Sequence, residues 1–177
     1  MAYNTYFGYG SNMLLKKLRS RCPSVDVIGV CRTKEYTLKF HKVSHHISKK
    51  NRIRDISGKG DMVETKSGAD ELYGIAFSID KSDGSNLDRA EGYGHGYAKK
   101  EIDVEALEDG KVLRVWVYYA TEIDSELKPY CWYKKQVVQG ARENDLPEDY
   151  IKKIEADFPC IQDRDPDRVA KNEKYLS

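Results

Sequence analysis

Short segments in which hydrophobic and polar residues alternate are spread along the chain, and each of them predicts a β-strand. The clearest pair comes late. A run over 97–107 is followed by a strongly apolar run over 111–120, and the Asp109-Gly110 pair between them is typical of a tight hairpin turn. Four more segments share the strand pattern, and they cover residues 5–9, 25–32, 35–41 and 71–79.

Apolar residues at helical spacing predict helices between and after these strands. The first helix follows the first strand, with Ser11 or Asn12 as its cap, and the second is short and ends at Gly92. Two longer stripes, over 130–141 and 147–158, predict a pair of helices near the end of the chain.

Strands that follow one another without regular alternation with helices are typical of the α+β class. We therefore expect a mixed, strongly curved sheet or a small β-barrel, with helices packed outside it. Residues 42–61 are polar and rich in Lys, Arg, Ser and Gly, which predicts a long exposed loop. A single domain is expected over residues 1–162, followed by a polar, loosely held tail over 163–177.

Composition narrows the class of protein. The 177 residues include 30 Lys and Arg against 29 Asp and Glu, a formal net charge of +1, so neither nucleic acid nor a membrane is an expected partner. No apolar run approaches the length of a membrane span, and residues 1–20 do not resemble a secretory signal. The cysteines are scattered (Cys22, Cys31, Cys131 and Cys160), which indicates reduced thiols in a cytoplasmic protein rather than a zinc site or a dense disulfide framework.

The segment Gly8–Asn12, between a predicted strand and a predicted helix, is the first candidate for chemistry. Glycine permits a tight turn and the close approach of a ligand, and the unpaired N–H groups at a helix start suit a carboxylate or a developing oxyanion. A dinucleotide-binding loop would need a third glycine where Met13 stands. A sharp turn into a capped helix explains the same residues without a ligand, so both interpretations stay open.

Two carboxylates at the end of the second predicted helix form another candidate. Asp88 and Glu91 are three residues apart, so they share one face near the helix C-terminus. Negative charge is unfavourable there because the helix dipole is negative at that end. Local rules tend to be broken at functional sites, and a buried carboxyl group would suit the role of a general base. The alternative is a solvated glutamate that tolerates a cost on the order of a few tenths of a kcal/mol.

The histidines offer a third possibility. His41, His45 and His46 lie within six residues, but no cysteine joins them and their neighbours are basic, so we expect no metal site. The stretch continues into a basic run over 49–54, which either contacts an anionic partner or is a solvated loop.

Four motifs occur in a recognisable order. They are Tyr6–Met13 (YFGYGSNM), Gly58–Asp61 leading to Leu72–Gly74, Leu87–Gly92 (LDRAEG), and Tyr133–Lys135 followed by Gly140–Tyr150. Together they resemble the gamma-glutamylcyclotransferase family. The third is similar to the family's catalytic-glutamate segment, and the last resembles the enzymes that act on gamma-glutamyl amino acids.

This resemblance implies a gamma-glutamylcyclotransferase-like fold and a cofactor-independent enzyme with a small-molecule substrate and no metal. The reaction would cyclise a gamma-glutamyl amino acid or peptide to 5-oxoproline and release the amino acid. By position in the motifs, Glu91 would be the general acid and base. The residues that would bind the substrate are Tyr6, Phe7, Gly8, Tyr9, Gly10, Ser11, Asn12 and Tyr133.

Some alternatives stay open. Related enzymes act on gamma-glutamylamines, glutathione or a biosynthetic gamma-glutamyl intermediate, and a non-catalytic module of this fold would only bind a small carboxylate. The chain also departs from the family pattern: it has Gly8 where alanine is more usual, a glycine-rich Tyr93–Gly96 segment, and an unusually basic stretch over 42–54. These departures concern the leaving half of the substrate rather than the reaction class. A homodimer is also left open.

Overall fold

The computed structural model describes residues 4–177, so residues 1–3 of the expected domain lie outside the described part. Its strands are β1 (Thr5–Gly8), β2 (Asp26–Lys34), β3 (Tyr36–Lys42), β4 (Lys59–Glu64), β5 (Glu71–Ser78), β6 (Tyr97–Ala106) and β7 (Val112–Ala120). Its α-helices are α1 (Leu15–Arg19), α2 (Lys81–Glu91), α3 (Cys131–Glu143), α4 (Glu148–Asp157) and α5 (Pro166–Glu173). Among these residues, no helix has both the length and the apolar character needed to span a membrane.

Five strands close into a mixed barrel in the order β1-β5-β2-β6-β7. Neighbouring strands in this order pair antiparallel, and the barrel closes where β1 runs parallel to β7, with Tyr6 opposite Trp116. The remaining strands, β3 and β4, form a separate antiparallel pair. The expected α+β fold, with a curved sheet or small barrel and helices outside it, is confirmed.

Two glycines allow the close packing that positions the site. A Cβ on Gly74 of β5 would lie 2.5 Å from the carbonyl oxygen of Gly8, so β1 and β5 need a glycine at this contact. A Cβ on Gly140 of α3 would lie 2.4 Å from the backbone nitrogen of Leu14. Gly140 therefore lets α3 lie directly against the segment that follows β1, which brings Tyr133 of α3 beside Ser11.

The start of the first helix differs from the prediction. Ser11–Met13 form a short 3-10 turn, and α1 begins only after it, with Leu14 at the cap position. Neither Ser11 nor Asn12 makes a side-chain cap, because both side chains are engaged in the interactions described below. The prediction that Gly92 ends α2 is confirmed, since this glycine adopts the left-handed conformation with φ of 70°.

The prediction of one long exposed loop over 42–61 is wrong in part. Lys59 begins β4, which pairs with β3, and Ser57 and Asp61 are buried. The β4 segment is polar and lacks a clear alternation, so its strand character depends on pairing with β3 across the chain rather than on its own pattern.

The segment 163–177 is not a loosely held tail. It carries α5, whose cap residue Asp165 accepts a hydrogen bond from the backbone N–H of Asp167. Arg168 of this helix is buried, pairs with Asp163 at 2.7 Å and donates to the hydroxyl group of Tyr130. These contacts attach α5 to the start of α3.

The expectation of reduced thiols is wrong for one pair of cysteines. Cys131 at the start of α3 and Cys160 after α4 form a disulfide, whereas Cys22 and Cys31 are free and buried. The backbone N–H of Cys131 donates to the carbonyl group of Ile161, so the two segments run side by side. The two cysteines are 29 residues apart in the sequence, so no local pattern predicted that they would pair.

Candidate active site

A small cavity of about 30 Å³ lies where the segment after β1 meets the end of α2 and the start of α3. We call it the inner pocket. It is rich in tyrosine, and its lining consists of Tyr6, Tyr9, Gly10, Ser11, Asn12, Gly60, Glu91, Tyr97, Tyr118 and Tyr133. Its free volume is that of about one water molecule.

Glu91, the last residue of α2, contributes the carboxylate of the inner pocket. Its side chain is 18% exposed, and its Oε1 atom accepts hydrogen bonds from Arg21 Nη1 at 2.6 Å and from Asn12 Nδ2 at 3.1 Å. Among residues 4–177, no group donates to the other oxygen, Oε2. One oxygen of Glu91 is therefore fixed, and the other is available to a ligand.

Asn12 connects Glu91 to the barrel. Its side-chain N–H₂ group donates to the hydroxyl of Tyr6 at 2.9 Å as well as to Glu91, and its Oδ1 accepts from Arg21 at 3.1 Å. Because three side chains use both ends of its amide, Asn12 has little freedom to rotate. This network also explains why Asn12 does not cap a helix.

Tyr133 reaches the opposite side of the pocket from α3. Its hydroxyl accepts a hydrogen bond from the backbone N–H of Gly60 at 3.0 Å, and Tyr97 donates to the carbonyl group of the same glycine. Burial raises the pKa of Tyr133 to about 12, and burial also raises the pKa values of Tyr6 and Tyr97 above their usual range. These phenols remain protonated at neutral pH, so they act as hydrogen-bonding groups rather than as bases.

A second, larger cavity of about 600 Å³ adjoins the inner pocket, and we call it the outer cleft. Ser11, Glu91, Tyr97 and Tyr133 line both spaces, so the two meet at these side chains. Most of the charged groups around the outer cleft are basic, namely Lys17, Arg21, Lys42, Lys49, Lys50, Lys59, Arg168 and Lys171.

Two of these lysines, the buried Lys17 and the partly buried Lys59, have partners within the protein. Lys17 Nζ donates to Ser11 Oγ at 2.9 Å and to Gln136 Oε1 at 2.7 Å, and burial lowers its pKa well below the usual value. Lys59 pairs with Asp55 at 2.8 Å, and burial lowers its pKa as well. Both ammonium groups thus form part of the wall of the cleft.

The structure brings most of the predicted site residues together. Tyr6, Tyr9, Gly10, Ser11, Asn12, Glu91 and Tyr133 all line the inner pocket, but Phe7 and Gly8 do not. Phe7 is fully buried in the core, and a Cβ on Gly8 would lie 3.0 Å from the ring of Phe77. Gly8 is therefore a packed strand residue rather than part of a loose turn.

The other candidates have structural partners. Asp88 accepts a hydrogen bond from the hydroxyl of Tyr118 and pairs with Lys99, so it faces the barrel instead of the pocket. His41 is bonded to Asp61 at 2.8 Å, and His45 to Glu122 at 2.7 Å. Within residues 4–177, no group of three or more His, Cys, Asp or Glu side chains is arranged to hold a metal ion.

Several residues of the site were missed from the sequence. Arg21, Tyr97 and Tyr118 belong to the inner pocket or contact Glu91, and none of them lies in one of the four motifs. Gly60 lies in the second motif, but no role in the site was assigned to it. Arg21 and Glu91 are 70 residues apart, so no local pattern connects them. The high tyrosine content, 13 residues, was the one general signal of a tyrosine-lined site.

Comparisons with known proteins place this geometry in a family. A model of the AIG2-like family matches residues 71–154. The gamma-glutamylcyclotransferase of Mus musculus is 33% identical over 178 aligned residues, which cover 97% of this chain and 90% of the mouse protein. The chain belongs to the gamma-glutamylcyclotransferase family. The Bos taurus gamma-glutamylcyclotransferase is 32% identical, with 87% of this chain and 78% of the bovine protein covered.

Solved structures agree with this family. A gamma-glutamyl cyclotransferase structure superposes with a TM-score of 0.78 at 28% identity, covering 94% of this chain and 98% of that one. An uncharacterised Homo sapiens protein superposes with a TM-score of 0.79 at 28% identity, covering 96% and 97%. This member of the gamma-glutamylcyclotransferase family is an enzyme, and 5-oxoproline is the product of gamma-glutamyl cyclisation. The family and fold implied by the four motifs are confirmed.

Proposed function

We propose that this enzyme cyclises the gamma-glutamyl group of a gamma-glutamyl amino acid, and that Glu91 transfers the proton in this reaction. The observation that carries the proposal is the state of the Glu91 carboxylate. Arg21 and Asn12 hold Oε1, whereas Oε2 has no partner among the described residues, at the junction of the inner pocket and the outer cleft. A base must be fixed in position and still have a free oxygen for the proton that it removes.

The substrate supplies its own nucleophile. The α-amine of the glutamyl group attacks its side-chain amide carbonyl, the new C–N bond closes a five-membered ring, and the old amide C–N bond breaks. Holding the folded conformer can supply several kcal/mol of the barrier, because the two reacting groups already belong to one molecule. An α-amine with a pKa of roughly 8 is mostly protonated at neutral pH. Glu91 would take the excess proton from this amine and deliver one to the departing nitrogen.

The tyrosines would orient the glutamyl group. The hydroxyls of Tyr6 and Tyr133 each accept a hydrogen bond from the protein, from Asn12 and Gly60 respectively, which leaves their own protons free to donate. Backbone N–H groups at the start of the 3-10 turn, around Ser11, would hold the substrate carboxylate or stabilise the tetrahedral oxyanion. The inner pocket is small, so we place the reacting end of the glutamyl group at the junction and the leaving half in the outer cleft.

The proposal needs no cofactor, because each chemical step is a proton transfer or an exchange of C–N bonds. All residues that carry it come from one chain, so a homodimer is not required. We also propose that the enzyme works in the cytoplasm, where Cys22 and Cys31 stay reduced and the Cys131–Cys160 disulfide would be open to reduction.

A substrate panel tests the proposal. The purified enzyme is incubated with gamma-glutamyl-alanine, ε-linked gamma-glutamyl-lysine and glutathione, and the release of 5-oxoproline is measured. We expect the highest kcat/KM with gamma-glutamyl-alanine. A preference for gamma-glutamyl-lysine or glutathione would instead assign this enzyme the substrate class of the relatives that act on gamma-glutamylamines or glutathione. If no substrate releases 5-oxoproline, the protein would be a module that only binds a small carboxylate.

A further inference from the structure

Lys42, the last residue of β3, differs from Lys17 and Lys59 of the outer cleft. It is only 8% exposed, and its Nζ lies 4.6 Å from the centre of the Tyr97 ring. Among residues 4–177, no carboxylate pairs with this ammonium group and no oxygen accepts a hydrogen bond from it. A largely buried ammonium without an anion is unfavourable, because the contact with the Tyr97 ring replaces its lost hydration only in part.

Two other lysines of the cleft, the buried Lys17 and the partly buried Lys59, have the polar partners that Lys42 lacks. Lys17 donates to Ser11 and Gln136, and Lys59 pairs with Asp55. Glu91 pairs with Arg21 at 2.6 Å and forms no ion pair with Lys42 within residues 4–177, although it is within electrostatic reach. Lys42 is thus a buried cation of the cleft that no carboxylate of the described residues pairs with.

The neighbours of Lys42 define its position relative to the reacting groups. Tyr97, beneath the ammonium group, lines both the inner pocket and the outer cleft. Burial lowers the pKa of Lys42, and among the charged groups around it the carboxylate of Glu91 opposes this shift most strongly. Lys42 therefore lies on the outer side of the junction, within electrostatic reach of Glu91.

The glycine-rich segment Tyr93–Gly96 gives this lysine its space. A Cβ on Gly96 would lie 2.9 Å from Cε of Lys42 and 3.2 Å from its Nζ, and Gly96 has a φ of 108° that other residues rarely adopt. A side chain at this position would push Lys42 away from Tyr97. Gly96 therefore contributes to the placement of Lys42 beside Tyr97.

We propose that Lys42 binds the carboxylate of the leaving amino acid and so selects gamma-glutamyl amino acids over gamma-glutamylamines. This inference rests on the proposed function. In a gamma-glutamyl amino acid, the carboxylate is two bonds from the nitrogen that leaves, so it lies close to the junction when the scissile bond does. A simple gamma-glutamylamine lacks this group and would leave Lys42 unpaired. An ammonium–carboxylate hydrogen bond is among the stronger polar contacts in proteins.

Two substrates that differ only in this carboxylate test the inference. Gamma-glutamyl-alanine and gamma-glutamyl-ethylamine are identical apart from it, and the measured quantity is the ratio of their kcat/KM values. We expect the wild-type enzyme to prefer gamma-glutamyl-alanine, and Lys42→Met to reduce this preference by about tenfold or more, chiefly through KM. Lys42→Arg, which keeps the charge, should retain most of it. Lys39→Met, an exposed lysine on the same strand, is the matched control and should leave the ratio unchanged.

The outcomes separate the two proposals. An unchanged ratio in folded Lys42→Met overturns the assignment of Lys42, as does an equal loss with both substrates, which would place Lys42 on the glutamyl half. If the wild-type enzyme releases 5-oxoproline from neither substrate, the proposed function itself fails and the assignment falls with it. Thermal unfolding checks the fold of each variant, and Lys42→Gln replaces Lys42→Met if the latter does not fold.

Discussion

The inner pocket and the outer cleft meet at Glu91, but their polar groups are arranged in opposite ways. In the inner pocket, the side chains are bonded to one another, as in the network of Arg21, Asn12, Glu91 and Tyr6. In the outer cleft, Lys42 is buried and no carboxylate of residues 4–177 pairs with it. The hydrogen bonds of the inner pocket fix the position of the Glu91 carboxylate before a substrate binds, which suits catalysis. The positive charge of Lys42 in the outer cleft can be neutralised by a substrate, which suits recognition.

The largest expected effect comes from removing the base of the inner pocket. Glu91→Gln keeps the size of the side chain and removes its ability to take a proton, so we expect kcat for 5-oxoproline release from gamma-glutamyl-alanine to fall about a thousandfold. Glu148→Gln, at an exposed position outside both spaces, is the control. A folded Glu91→Gln enzyme with near wild-type kcat would show that Glu91 is not the base.

A smaller loss of kcat is expected when the hydrogen bonding to Oε1 of Glu91 is weakened. Arg21→Met removes the charged one of the two donors to Oε1, and we expect kcat to fall between about tenfold and a hundredfold while KM changes little, because Asn12 alone holds the base less firmly.

Arg21→Lys should recover part of the lost kcat in this experiment. An Arg21→Met variant that loses stability but keeps the wild-type kcat would show that Arg21 is only structural and does not position the base.

The smallest expected effect concerns the far wall of the inner pocket. Tyr133→Phe removes one hydroxyl that would contact the substrate and leaves the N–H of Gly60 without its acceptor, so we expect kcat/KM to fall about tenfold. Tyr150→Phe is the matched control, because Tyr150 lines neither the inner pocket nor the outer cleft. Equal kcat/KM values for the two variants would exclude Tyr133 from the site.

Local patterns were sufficient for much of the fold. Alternation located the six strands other than β4, and the motif around Glu91 together with Gly92 located the end of α2. These features depend on residues that are close in sequence, so their signals are present in a single segment. The match to four motifs then supplied the family, which neither periodicity nor composition indicates.

The missed features depend on contacts between distant segments. The strand β4 forms because β3 lies beside it, and the disulfide between Cys131 and Cys160 forms because the segments before α3 and after α4 are adjacent. The partner of Glu91 is Arg21, which lies just after the short helix α1. Nothing in the sequence around Arg21 indicates this role. The isolation of Lys42 is likewise visible only when all surrounding groups are in place.

The central claim is that the substrate crosses the junction, with its glutamyl amine at Glu91 and its leaving half in the outer cleft. The most direct measurement is a crystal structure of the Glu91→Gln variant with gamma-glutamyl-alanine bound. We predict that the α-amine nitrogen lies within about 3.2 Å of the side chain at position 91 and that the alanine carboxylate contacts Lys42. A substrate bound in the reverse direction, with its glutamyl amine in the outer cleft and far from position 91, would contradict the account.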